Sequence, residues 1–347
     1  MLAARVEFGA TATADASDVI QFMGRVFGVA PSAAFLNPRH VAWKYWSHRT
    51  DWPESRSFTA RHDGAIVAHV AAWPVAVRLP GSILRGVHLI DWASDPHHPG
   101  AGSWLLRKVR VRSPVLIATG GSAITRQTLP LLGFKPLGRI DSYACPVRPF
   151  AQARTGRKNW RTPVRLLRNT LWHLSASCGV SSDWSATPVS ADELEPDVWP
   201  QPSDSTAVTL RDAALYRYLV ASPVTPHVLY RLTRRGTPLG FFCLSYARHV
   251  ARIADLWLRS TSVDDWCHAI RTATAMAASR DDIHEVTAWA STHLGRSALT
   301  RSGFRVRDTS PLSVLGDVDA LSGREVHVQM IDCDASFVLA DAVSYLS

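Results

Sequence analysis

A faint internal duplication, offset by about 170 residues, constrains this chain more than any other feature, because it demands a fold that can be built twice. Trp43-Lys44-Tyr45-Trp46 aligns with Tyr216-Arg217-Tyr218-Leu219, and Phe58 to Ala68 aligns with Leu229 to Gly240. Both members of the second pair read as β-hairpins, with apolar residues on either side of Asp63-Gly64 or Arg235-Gly236. Asp-Gly is a strong hairpin signal and Arg-Gly a weaker one. Val115-Leu116-Ile117-Ala118-Thr119 answers Glu285-Val286-Thr287-Ala288-Trp289, and each run leads to a short helix closing in Gly133-Phe134 or Gly303-Phe304. The spacing agrees, since Gly64 to Gly133 spans 69 residues and Gly236 to Gly303 spans 67.

Each half therefore reads helix, hairpin, strand, helix, strand, short helix and final strand, an α/β unit (α+β in its mixed sheet). Asp15 to Phe27 carries Val19, Phe22, Met23 and Val26 at helical spacing, behind Asp15, Ser17 or Asp18 as N-cap. With 347 residues, 46% of them hydrophobic, the chain can bury two cores. It contains no apolar run of the ~18 residues a membrane span needs, and Met1 to Ala16 lacks a signal-peptide pattern, so a soluble cytoplasmic protein is expected. Cys145, Cys178, Cys243, Cys267 and Cys333 are odd in number and form no C-x-x-C pair. Buried free thiols are expected, with no disulfide framework and no metal site.

The net charge of +9 permits an anionic partner without choosing one. Arg148, Arg154, Arg157, Lys158, Arg161, Arg165 and Arg168 fall in one short acid-free segment, which a solvated linker explains most simply. From about Arg148 to Pro188 no strand pattern is visible, but Val164, Leu166, Leu167, Leu171, Trp172 and Leu174 predict an amphipathic helix. A connecting helix packed on both halves is the preferred reading. A foot on an anionic membrane surface is the other.

Leu89 to Leu106 carries the chemistry. An apolar run, a Pro/Gly loop and an apolar helical start aim a bare loop and a helix N-terminus at one point. Gly100 and Gly102 lack Cβ atoms, so N–H groups can approach an anion, and the helix dipole adds to their pull. Two glycines also mark ordinary strand-to-helix turns, so the spacing alone leaves both readings open.

The ordered set of strand, glycine loop, helix, strand and helix ending in Gly-Phe resembles the GNAT superfamily of acyl-CoA-dependent N-acyltransferases. His97-His98-Pro99-Gly100-Ala101-Gly102 fits the family's Gln/Arg-x-x-Gly-x-Gly/Ala loop with His97 in first place, and Thr125 to Phe134 is similar to the segment before the family's last strand. Phe35-Leu36-Asn37-Pro38 with Trp43 to Trp46, and the ending Met330 to Phe337, are similar to GNAT proteins of polysaccharide-assembly gene clusters. The match covers about residues 5–145 well and about 186–340 faintly.

The resemblance implies two tandem GNAT-like domains: 1–147 with the acyl-CoA loop, a basic helical linker over 148–188, and a degenerate domain over 189–347. It implies acetyl-CoA as co-substrate, without metal, and a small-molecule amine acceptor. An amino sugar, free or nucleotide- or lipid-linked, in surface-polysaccharide synthesis is the leading reading, with no nucleic acid, peripheral membrane contact as an option and oligomeric state open. His97, His98, Pro99, Gly100, Ala101, Gly102 and Ser103 would hold the pyrophosphate. Trp92, Ala93 and Ser94 would take the pantetheine and thioester carbonyl, with Ser122 nearby; an N-cap explains Ser122 equally well. A neutral amine attacks the thioester directly, so the protein supplies placement, a proton acceptor and oxyanion support.

Three departures matter. His97 removes a permanent charge or amide from the loop. Leu129 stands where the family often has a thiolate-protonating Tyr, so Tyr143 or water would have to serve. The corresponding second-half loop, Leu258 to Trp266, has no glycine and gains Asp264 and Asp265, which predicts that it binds no CoA.

Asp91 interrupts an apolar strand and is a candidate base, or else a carboxylate paired with a cation. His88, three residues earlier, suits the role by its ordinary pKa but faces the other way by strand alternation, so one of the two faces the acceptor. Asp255 is the duplicate of Asp91, and inherited geometry explains it. Nothing brings Cys145 and His69 together as nucleophile and base. Trp43, Trp46, Trp52, Trp73 and Trp92 read as packing, with one or two free to stack on a sugar ring. Two other readings keep the scaffold. A Fem-type aminoacyl or peptidyl transferase taking aminoacyl-tRNA would suit the basic charge, against the intact glycine loop and the missing coiled-coil arm. A non-catalytic GNAT-like binding protein would suit His97 and the missing Tyr, against the retained glycines.

Overall fold

A computed structural model describes residues 6–155, 160–176, 179–316 and 318–337. The first half contains β1 (Val6–Ala10), α1 (Ala16–Phe27), α2 (Pro38–Trp46), β2 (Ser57–His62), β3 (Ala65–Leu79), β4 (Ser82–Ser94), α3 (Ala101–Arg110), β5 (Leu116–Thr119), α4 (Ala123–Leu131) and β6 (Lys135–Pro146). Then come α5 (Pro149–Thr155) and α6 (Thr162–Ala176). The second half contains β7 (Trp184–Pro188), β8 (Thr206–Thr209), α7 (Ala213–Val220), β9 (His227–Arg234), β10 (Thr237–Ala247), β11 (Val250–Leu258), α8 (Val263–Ala278), β12 (Glu285–Ala290), α9 (His293–Arg301), β13 (Arg305–Leu315) and β14 (Glu325–His327).

The two hairpins are copies down to their turns. Asp63-Gly64 has φ of 50° and 80°, and Arg235-Gly236 has 50° and 79°. Two successive left-handed residues make the tight turn that matches strand twist, which is why Gly occupies the second position of each. Tyr218 lies on the first turn of neither hairpin but on α7, stacked on Trp43 of α2 at 4.9 Å. Trp43 Nε1 donates to the Tyr218 carbonyl, and the Tyr218 hydroxyl donates to the Trp43 carbonyl. The duplicated helices thus clasp each other where the halves meet, in a core that also takes Trp73 and Phe337.

The strands form one mixed sheet with the order β1-β2-β3-β4-β5-β13-β6-β12-β11-β10-β9-β7; β8 joins β3 and β14 off this path. The order is symmetric about its centre, where the final strands have changed places. β13 of the second half pairs with β5, and β6 of the first half pairs with β12. The two exchanged strands also pair with each other, so no edge is left between the halves.

One expectation needs correction. Trp184–Pro188, at the end of the segment with no visible strand pattern, is β7, the sheet edge paired with β9. A five-residue edge strand needs little periodicity once a partner supplies its hydrogen bonds. The basic helix is held by the Trp172 indole, which donates to the Gly303 carbonyl, and by His173 at the Pro146 carbonyl of β6, beside β12. Cys145, Cys243, Cys267 and Cys333 are free and buried; Cys178, Arg157 and Lys158 lie outside the described residues. No described helix is long and apolar enough to cross a membrane.

Candidate active site

β4 and β5 run parallel but pair at only two positions, Val87 with Leu116 and His88 with Ile117. Beyond them the strands diverge, and the β5-facing backbone groups of Leu89 to Ser94 have no strand beside them among the described residues. A cleft of about 760 Å³ opens there, at the carboxyl ends of both strands, where such sheets present ligand sites. Two helix N-termini frame it. Gly100 is the N-cap of α3, with φ of 86°, and Gly120 and Gly121, with φ of 67° and 88°, precede α4.

The loop amides divide in two. His97 N–H is held by Asp95 Oδ1 at 2.9 Å and His98 N–H by the Asp95 carbonyl at 3.0 Å, so these two are spent on an internal turn. The N–H groups of Gly100, Gly102 and Ser103 have no acceptor among the described residues. They lie in the first turn of α3, where the dipole favours an anion. Gly102 has a second constraint: a Cβ there would lie 3.0 Å from Ser94 Cβ and 3.1 Å from Trp92 Nε1. Its missing side chain lets α3 sit directly against β4.

The cleft is lined by Asp91, Trp92, Ala93, Ser94, Gly100, Gly102, Ser103 and Ser122 among the sequence candidates. Ser122 lines the cleft and is also the N-cap of α4, its Oγ accepting from Thr125 N–H at 3.1 Å. His97, Pro99 and Ala101 belong to the loop without lining the cleft, and His98 instead packs its ring 5.2 Å from His62.

Alternation fails to place Asp91 because β4 carries a bulge there. Ala71 faces Ile90 and His69 faces Ala93, so Asp91 and Trp92 together oppose Val70. Asp91 takes φ of 50°, a left-handed conformation that Asp tolerates better than most residues. The bulge turns its carboxylate under α2. Lys44 Nζ lies 2.7 Å from Asp91 Oδ2, and the Tyr45 hydroxyl donates to the same oxygen at 2.7 Å. Burial would raise the Asp91 carboxyl, but the Lys44 charge and the two hydrogen bonds outweigh it and hold the carboxyl below its ordinary range. Asp91 is therefore a fixed anion, ill suited to accept a proton.

Asp334 is the residue that sequence reasoning missed as a site group. It lines the same cleft from the C-terminal segment, and burial, reinforced by the nearby Asp91 charge, pushes its carboxyl up to about 6. A carboxyl poised there can accept a proton near neutral pH. The signal was present, because Asp334 sits in the Met330 to Phe337 motif, and Lys44 and Tyr45 sit in the Trp43 to Trp46 motif.

The structure does not bring His88 or Tyr143 to the cleft. His88 is buried, which lowers its ring to about 4, and it bonds the backbone at Asp332. Tyr143 lies on β6, between Ala288 of β12 and Val306 of β13, in the core of the second half. The strand exchange carried it there. Leu129 is likewise buried in the first-half core. His69 bonds Ser57 Oγ and the Asp91 carbonyl, whereas Cys145, pushed up to about 12 by burial, lies in the second-half core.

The duplicate site is built differently. β11 and β12 stay paired over four positions, Val250 to Ile253 against Glu285 to Ala288. The Trp266 indole donates to the Ser260 carbonyl at 2.7 Å, while Asp265 accepts from Ser260 Oγ at 2.6 Å. Asp255, the counterpart of Asp91, is closed within a buried network with Arg211 and Tyr216.

Residues 8–107 match the family model described as an acetyltransferase (GNAT) domain. Among solved structures, yeast (Saccharomyces cerevisiae) N-myristoyltransferase with bound myristoyl-CoA and inhibitors superposes with a TM-score of 0.60 at 11% identity, over 98% of this chain and 87% of that one. A GCN5-related N-acetyltransferase from Anabaena variabilis gives 0.56 at 11% identity, over 89% and 72%. A putative acetyltransferase from Pyrococcus horikoshii gives 0.54 at 10% identity, over 98% and 96%. At such identities these likenesses concern the fold. A search of curated proteins finds no match. The matched residues supply β4, the glycine loop and the first turns of α3 that build this cleft, so the likeness to an acetyltransferase (GNAT) domain falls on the candidate site itself.

Proposed function

We propose that the protein transfers the acyl group of acetyl-CoA, bound in the β4–β5 cleft, to the amine of a small anionic acceptor, an amino sugar bearing phosphate in surface-polysaccharide synthesis. The observation that carries this reading is the set of unpaired N–H groups of Gly100, Gly102 and Ser103 facing the cleft where β4 leaves β5. The thioester supplies the activated acyl group. The α3 amides hold the diphosphate, the unpaired edge of β4 receives the pantetheine arm, and Asp334 takes a proton from the acceptor's ammonium. Asp91, fixed by Lys44 and Tyr45, keeps Asp334 protonatable and braces the bulge.

The anionic character of the acceptor is supported by a second cavity of about 820 Å³, which α2 lines and which shares no lining residue with the β4–β5 cleft. Five arginines and three aspartates line it. Asp51 is committed to Arg49 and Asp332 to Arg211, while Arg39 and Arg85 are exposed and pair with no acidic side chain among the described residues. Arg49 stacks between Trp73 and Tyr218, at 4.5 and 5.0 Å, and its Nη1 has no hydrogen-bond partner among the described residues. Cationic groups beside flat aromatic faces suit a phosphorylated ring.

A screen of amines for CoA release tests the reading. Phosphate-bearing amino sugars are expected to turn over fastest, and Arg39→Ser with Arg85→Ser to raise the acceptor KM by about tenfold or more with the acetyl-CoA KM unchanged. Equal rates for neutral and phosphorylated amines, or an unchanged acceptor KM, would remove the anionic acceptor. CoA release with no amine in the screen would remove the transferase reading.

The pH profile tests Asp334 separately. Its carboxylate must be ionised to act, so kcat/KM is expected to rise with pH through about 6. Asp334→Asn should delete that limb and slow turnover by about 100-fold or more. The same limb in the variant would show that another group accepts the proton.

A further inference from the structure

One outward surface has no part in the acyl-transfer chemistry. One face of α6 is fastened to the described residues: Trp172 is buried against Gly303 and under the Arg305 guanidinium at 4.8 Å, and the buried Asn169 donates to Gln152 Oε1 at 2.9 Å. On its opposite face Val164, Leu167, Leu171 and Leu174 are 67%, 62%, 59% and 66% exposed, and Trp160, just before the helix, is 80% exposed. Positions 160, 164, 167, 171 and 174 recur every three or four residues and form a single stripe. Phe150 of α5 is 62% exposed as well. Soluble surfaces scatter single apolar residues and rarely align six large ones on two adjoining helices.

The charges beside the stripe select its occupant. From Arg148 to Ser182 the sequence has no acid and seven cationic residues. Arg154, Arg161 and Arg168 are exposed beside the stripe, while Arg157 and Lys158 lie outside the described residues. Identical copies meeting through this face would bring these cations together and repel. An anionic bilayer would attract them while its acyl boundary received the leucines and Trp160. We infer that α5 and α6 form a membrane foot, which seats the protein peripherally on an anionic lipid surface through the face opposite Trp172.

Flotation of the full chain with vesicles of phosphatidylcholine, with and without phosphatidylglycerol, tests this. The protein is expected to float only with the anionic vesicles and to be released at high salt. Leu167→Glu with Leu171→Glu should cut the floated fraction by about tenfold while leaving the thermal transition unchanged, because both side chains are already exposed. As a second variant, Arg161→Glu with Arg168→Glu should weaken flotation while keeping the apolar stripe. Failure to float with anionic vesicles, or flotation unaltered by the leucine pair, overturns the proposal. So does a dimer in light scattering that the leucine pair dissociates, since the stripe would then be covered by a second copy. Acyl transfer in free solution does not enter any of these readouts, so the membrane foot can fail without the transferase reading failing.

Discussion

Arg211→Leu is expected to lose about 3–5 kcal/mol of stability, the cost of stripping a buried ion-pair network of its only cation. Arg211 is 3% exposed and binds two carboxylates at once. Its Nε lies 2.7 Å from Asp255 Oδ2, and its Nη1 and Nη2 lie 2.7 and 2.9 Å from the two oxygens of Asp332. Without it, two buried anions keep only neutral donors among the described residues: the Tyr216 hydroxyl and the Leu256 N–H on Asp255, and Thr209 Oγ1 and the Gln329 N–H on Asp332. Such a loss is a large share of the ~5–15 kcal/mol that holds a typical domain. Chemical denaturation measures it, and a change below about 1 kcal/mol, the range of exposed pairs, would contradict the argument.

The same substitution should also reduce activity. Asp332 belongs to the segment Met330 to Phe337, which the Trp73 indole holds at the Ile331 carbonyl and Thr225 at the Phe337 carbonyl. Asp334 reaches the cleft from that segment. Adding Asp255→Asn and Asp332→Asn to Arg211→Leu should recover part of the stability by removing the stranded charges, without restoring the placement of Asp334.

Gly102→Val is expected to lower kcat/KM for acetyl-CoA by about 100-fold or more, the scale of a displacement near 1 Å in a positioning element. A Cβ at 102 meets Ser94 Cβ at 3.0 Å and Trp92 Nε1 at 3.1 Å, and the two extra methyls have less room still. Either α3 moves off β4, or Trp92 leaves its hydrogen bond to the Gly102 carbonyl. Both outcomes displace the free amides. Overpacking of this kind also costs about 1–3 kcal/mol, so calorimetric titration with acetyl-CoA must be run well below the transition of the variant. Gly100→Ala is the companion measurement. Its φ of 86° strains an alanine by about 1 kcal/mol, but the added Cβ has nothing within 4 Å. Binding should therefore weaken far less than in Gly102→Val. Full affinity in Gly102→Val would show that the diphosphate is held elsewhere.

Local signals were enough for much of the site. Apolar strand, bare loop and helix start were legible between Leu89 and Leu106, because glycine spacing and periodicity are properties of contiguous residues. The hairpin turns and the Ser122 cap were legible for the same reason. Two features escaped. The bulge at Asp91 has no sequence marker in an apolar strand, so alternation placed His88 and Asp91 on opposite faces without foreseeing that Asp91 would turn under Lys44 and Tyr45. Asp334 comes from more than two hundred residues away, and its elevated carboxyl arises only once burial brings it beside Asp91.

The sequence by itself determined the duplicated α/β unit, the intact glycine loop in one half and its loss in the other, because each is written in neighbouring residues. Only the tertiary structure decided which final strand pairs with which sheet. β6 and β13 follow similar short helices and both read as ordinary last strands, so either sheet could accept either strand on local grounds. Register and packing across the whole molecule selected the exchange, which carried Tyr143 away from the cleft. The clasp of the two halves, with the buried Arg211 network holding the C-terminal segment, brought Asp334 to it. Those placements depend on contacts between distant residues, whose energies exist only after the chain has closed on itself.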